Sequence, residues 1–228
     1  MQRRQFMSSG AGLVLVGAPR LARPQSFSET DAALGVREAL ERGAVAAVRQ
    51  LGRSGGFLDN PKVRIPLPGL LADAGRLLKA TGQGARVDEL VVAMNRAAEA
   101  AMPEARNLLV STVKSMSVED ARRIVTGGDD SVTRFFAAKT RQPLSVKFLP
   151  IVTRATERVR LAEKYNAVAS KAAGLGVVRR EDANIQQYVT GKALDGLYLV
   201  IGEEERKIRR DPVGTGSTIL KKVFGSLR

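Results

Sequence analysis

Asn95, Arg96 and Glu99 are the residues whose types and spacing come nearest to chemistry in this chain. Asn95 and Glu99 lie four apart and Arg96 and Glu99 three apart, so on a helix an amide, a guanidinium and a carboxylate meet on one side. Val91, Val92, Met94, Ala97, Ala98 and Ala101 surround them, which would leave the group partly buried. Such a trio can read a carboxylate or a lipid headgroup. Equally, it can be an internal tie that fixes helix register, because a buried charge needs a partner.

Other chemistries find little support. His and Cys are both absent, which removes imidazole acid–base catalysis, Ser–His triads, thiol chemistry, disulfides and most zinc sites. Gly127-Gly128-Asp129-Asp130 offers two adjacent acids, whereas a calcium loop needs ligands at several alternating positions. A helix stop followed by an N-cap accounts for these four residues. Gly214-Thr215-Gly216-Ser217-Thr218 lacks the Gly-Lys-Ser/Thr ending and the preceding strand of a phosphate loop. Glu203-Glu204-Glu205 with Arg206, Lys207, Arg209 and Arg210 reads as a solvated helix end. No carboxylate pair is singled out for hydrolysis. A non-enzymatic protein is expected, with no catalytic residue, metal ligand or cofactor.

The elements that must position these residues are helical. Leu70–Ala80 and Val87–Ala101 carry apolar residues at three and four spacing, and Pro103 suits the first turn of the next helix. Ser28-Glu29-Thr30-Asp31 resembles a capping box ahead of a helix that ends at Gly52–Gly56. Ser117 opens a short helix, and Asp129 or Asp130 caps the one carrying Val132, Phe135 and Phe136. Pro143 and Pro150 are expected to break up the middle, with Ile151–Ala172 continuing as one or two helices. A long helix is expected from Asp182 to about Arg210. Phe57–Pro68 alternates apolar residues but holds three prolines, which suits an extended packed loop better than a strand. The expectation is an all-α single-domain bundle of roughly seven to nine helices with one Pro-rich extended loop.

Residues 1–22 read as an address. Arg3-Arg4 with Phe6, the apolar run Ala11–Ala18 and then Pro19-Arg20 look like a twin-arginine export signal. The mature domain would then span 23–228, with Gly214–Ser217 a flexible joint before an amphipathic terminal piece, Thr218–Phe224. The expected location is the periplasm, and without Cys a lipid-modified N-terminus is excluded. Losing Arg3, Arg4 and Arg20 takes the net charge from +14 to +11. Basic residues cluster at Arg179-Arg180, Arg206–Arg210 and Lys221–Arg228. In the envelope such charge meets anionic headgroups before nucleic acid. With 4% aromatics and no Trp, stacking platforms for nucleic acid are scarce, so nucleic acid is not an expected partner.

Several blocks resemble a bacterial family, domain of unknown function family 4197. They are Gly56-Phe57-Leu58-Asp59-Asn60-Pro61, Val63-Arg64-Ile65-Pro66-Leu67-Pro68, Met94–Ala101, Thr126–Asp130, Tyr188–Leu197 and Leu220–Gly225. The resemblance implies an exported helical protein of Gram-negative bacteria and supplies no catalytic residues.

Two functions follow as expectations. The first is a periplasmic protein that binds an apolar or lipid-like small molecule between its helices, since bundles place ligands there. Its lining would be Phe57, Ile65, Leu67, Met94, Phe135, Phe136, Phe148, Tyr165, Tyr188 and Tyr198, with Asn95, Arg96 and Glu99 as polar contacts. The same residues would also make an ordinary core. The second is a structural or adaptor protein that docks on an envelope partner through Asn60–Pro68 or the C-terminal tail. A solvent-facing Ile65 and Leu67 would favour it.

Overall fold

The computed structural model describes residues 29–176 and 179–211. Eight α-helices and two 3₁₀ turns occur among them, and no strand. The first four helices are α1 (Glu29–Gly52), α2 (Gly69–Ala80), α3 (Gly84–Ala101) and α4 (Ala105–Lys114). They are followed by α5 (Val118–Thr126), α6 (Ser131–Thr156), α7 (Arg160–Gly174) and α8 (Ile185–Arg210). The fold is all-α. The proposed export signal, the capping box at Ser28 and the segment 214–228 lie outside the described residues.

Local signals set several boundaries. Ser117 and Asp120 exchange side-chain and backbone hydrogen bonds in a capping box that starts α5. The Asn184 side chain accepts from the Gln187 N–H and starts α8. Gly127 ends α5, and Asp130 precedes α6 without a side-chain cap, pairing instead with Arg134 at 2.9 Å.

The expected breaks at Pro143 and Pro150 do not occur: α6 runs through both. The prolines are seven residues apart and both exposed, so the carbonyls they leave unpaired can reach water. On the other side, Phe136, Thr140, Leu144, Phe148, Val152 and Thr156 form a run of buried residues, each four from the last. Burying its four apolar side chains, Phe136, Leu144, Phe148 and Val152, contributes about 1.5–3 kcal/mol each, enough to offset the roughly 3 kcal/mol cost of each of the two helical prolines.

α3, α6 and α8 pack on one another and hold the centre of the core. α1 lies across α8 with α4 and α5 beside it, α2 packs on α3, and α7 packs on α3 and α8. Residues 53–68 form turns and extended chain that enter this core. Gly55 makes the turn with φ of +80°, and a Cβ at Gly56 would lie 2.3 Å from the Leu51 carbonyl oxygen.

Candidate functional site

Asn95, Arg96 and Glu99 do sit together on α3, and their partners are the backbone of segment 53–68. Glu99 Oε1 accepts from the N–H groups of Phe57 and Leu58, each at 3.0 Å. Glu99 Oε2 takes Arg96 Nη1 at 2.7 Å, and Arg96 also donates to Ser54 Oγ. Asn95 receives the Ile65 N–H at 2.8 Å and donates to the Ile65 carbonyl at 3.0 Å and the Val91 carbonyl at 2.8 Å. Burial pushes the Glu99 carboxyl up. The Leu58 N–H, the Arg96 guanidinium and the Phe57 N–H outweigh it and hold the group below its usual value. The trio is an internal tie: buried Asn95 and Glu99 bond the chain itself, and Arg96, partly exposed, braces Glu99 through Nη1.

The apolar candidates surround this tie. Phe57, Ile65, Met94, Phe136 and Phe148 are buried in the main core cluster. Leu67 and Phe135 are half-buried against it; Phe135 packs edge-on to Phe136, with Lys139 over its outer face. Each buried tyrosine spends its hydroxyl internally: Tyr165 donates to the Asp182 carbonyl, Tyr188 to the Pro66 carbonyl, and Tyr198 shares a bond with Thr140. Burial, then the Asp182 charge, pushes the Tyr188 phenol up to about 12. None of the thirteen candidates lines any of three surface clefts and one small void found among the described residues. That void, beside Val36, Leu40, Ile124 and Val132, measures about 20 Å³, room for a water and not for an acyl chain. In segment 60–68, Ile65 is buried with its backbone clamped, Leu67 is half-buried, and Pro61 and Pro66 are exposed.

Sequence reasoning missed a different place. A cleft of about 370 Å³ opens between the α2–α3 corner and the start of α7. Leu78 of α2 and Leu161 of α7 supply its apolar walls, while Arg86, Arg158, Arg160 and Lys164 face Glu89 and Gln83. Arg86 donates to Gln83 at 3.0 Å. Arg158, Arg160 and Lys164 have no ion pair among the described residues. By contrast, Arg179 is tied to Asp182 and Lys207 to Glu204, within the charge clusters that stand out in the sequence.

Placement sharpens the contrast. Arg158 and Arg160 flank Val159, which precedes α7 without a side-chain cap. Arg160 lies in the first turn of α7, where the helix dipole disfavours a cation and Glu163 answers part of its charge. Arg158 lies between the end of α6 and the start of α7. An anion in this cleft would meet the four cations and the first N–H groups of α7. Leu161 and Val168 lie seven residues apart on α7 with Lys164 and Lys171 following the same side, and Leu175 comes seven residues further on, at the C-cap. Val168 is 67% exposed and Leu175 82%. The cleft therefore continues into an outward stripe of aliphatic and basic side chains. No helix among the described residues is long and apolar enough to cross a membrane.

No curated protein and no solved structure matches this chain. A family model described as "Protein of unknown function (DUF4197)" matches residues 26–225, nearly the whole sequence and all the helices described above. The chain belongs to the DUF4197 family.

Proposed function

We propose that this protein is a non-enzymatic component of the cell envelope that docks on anionic lipid. A phosphate-bearing headgroup enters the cleft between α2, α3 and α7, and the outward stripe of α7 rests against the bilayer. In this reading the lipid-like ligand binds at the surface and not between the core helices. The carrying observation is the cleft itself, where four cations and one carboxylate line a concavity at the start of α7, the helix that also carries exposed Val168 and ends at exposed Leu175.

Neither half of that surface would suffice alone. Basic side chains near an anionic surface contribute about 1 kcal/mol each and act within a Debye length. Exposed aliphatic residues add burial at the headgroup boundary, and two signals together make a reversible attachment stable. The periplasmic location within this reading is supported by the basic and apolar pattern of residues 1–22.

Vesicle flotation tests the reading. Binding to phosphatidylglycerol vesicles, weak binding to phosphatidylcholine and release as salt rises are the expected results. Equal binding to both vesicle types, or to neither, would sink it.

A further inference from the structure

A second groove, on elements remote in sequence from the α7 cleft, carries a different partner. Two adjoining stretches of about 540 and 550 Å³ run along α1 where α4 and the turn before it pack on it, and they share Val45, Arg49 and Arg106. The floor is apolar: Val45, Val48 and Pro103, with Gly52 beside the 3₁₀ turn Met102–Glu104. A Cβ at Gly52 would lie 3.4 Å from Met102 Cβ.

The walls are arginine. Arg42 and Arg49 fall seven apart on one stripe of α1, Arg53 follows just past its end, and Arg106 faces them from α4. Arg42 is paired with Glu38 at 2.5 Å, whereas Arg49, Arg53 and Arg106 have no ion pair among the described residues. Every cation here is a planar fork suited to bidentate carboxylate recognition. Glu38 and Glu41 line the N-terminal end of the same groove. Two carboxylates there would repel an anionic bilayer laid along α1, whereas a helix can place its acidic residues over Arg49, Arg53 and Arg106 alone.

We propose that this groove binds an acidic amphipathic helix of a partner protein, its aliphatic side chains on Val45, Val48 and Pro103 and its carboxylates on Arg49, Arg53 and Arg106. From Glu38 to Arg53 the groove spans roughly 22 Å, the length of a helix of about 15 residues. The inference is independent of the lipid reading, since it uses other residues and another class of partner.

A display library of peptides about 15 residues long, panned against the full chain, supplies the probe. Enriched peptides are expected to carry Asp or Glu at helical spacing around aliphatic residues. Fluorescence anisotropy should then show about tenfold or greater weakening on the double variant R49E/R106E, at unchanged melting temperature, and no change on R158A/R160A. Peptides with Lys in place of the acids should regain affinity for R49E/R106E. Enrichment without acidic bias, or equal affinity for wild type and R49E/R106E, overturns the proposal. So does loss of binding on R158A/R160A. Competition by phosphatidylglycerol vesicles that persists in R158A/R160A would make the groove a lipid site and overturn it too.

Discussion

Segment 53–68 and the cleft beside α7 both bring charged and apolar side chains together, and they use them in opposite ways. In the segment, one buried carboxylate takes two backbone N–H groups and one guanidinium, and one buried amide takes both polar atoms of Ile65. Lys62 adds a bond to Glu203 at 2.7 Å. At the cleft, Arg158, Arg160 and Lys164 hold no such partner among the described residues, and Arg160 sits in the first turn of α7, where the helix dipole disfavours it. A buried polar group must be satisfied for the fold to exist. A surface cation left against the helix dipole is not required by the fold, and it is the better pointer to a ligand.

If that contrast holds, interior substitutions should move stability and leave lipid binding alone, while cleft substitutions should do the reverse. The largest effect expected is at Phe148, fully buried in α6. Phe148→Ala should cost about 4 kcal/mol in urea unfolding while the remaining folded protein floats with vesicles as before. Loss of binding in that folded fraction would return Phe148 to the ligand lining. Glu99→Ala comes next, at about 3 kcal/mol, because it strands the Phe57 and Leu58 N–H groups. Differential scanning fluorimetry should register it as a fall of roughly 10 °C.

On the other side of the comparison, Arg158→Ala with Arg160→Ala should weaken phosphatidylglycerol binding by about 2 kcal/mol, near thirtyfold, with the melting temperature unmoved. Val168→Ser with Leu175→Ser removes the apolar half and should cost about tenfold in the same flotation assay. A thermal shift in either pair would show that these residues belong to the core after all.

The smallest effect separates the two uses of a charge by pH. The folded Glu99 carboxyl lies below its unfolded value, so its stabilisation is complete above the unfolded value and disappears as pH falls through the folded one. Wild type should therefore lose stability more steeply than Glu99→Gln between about pH 5 and pH 3. Parallel melting curves for the two across that range would refute the assigned role of the carboxylate.

Much of the fold can be read in advance because its signals are local. The helix boundaries at Ser117, Gly127 and Asn184 follow from capping chemistry, and the Asn95, Arg96 and Glu99 grouping from spacing along one helix. α6 shows where local reasoning fails. A proline penalises the helix through its own backbone, but whether the helix breaks depends on what the opposite side buries, and that comes from α3 and α8. The cleft was invisible for the same reason. Arg86 is more than 70 residues from Arg158 in sequence, and only the packing of α7 on α3 brings them to one concavity.

By itself the sequence determined an all-helical chain without imidazole or thiol chemistry, a strong positive charge and the membership carried by its long matching blocks. These are properties of residue types and of neighbours within a few turns. Tertiary structure alone decided that Glu99 reads backbone 42 residues away, and that Gly196 of α8 must stay small. A Cβ at Gly196 would meet the Phe57 ring at 2.8 Å. It also decided which of many basic residues remain without a partner. Satisfaction of a buried group and exposure of a charge are set by what packs against them, and close packing draws those neighbours from anywhere in the chain.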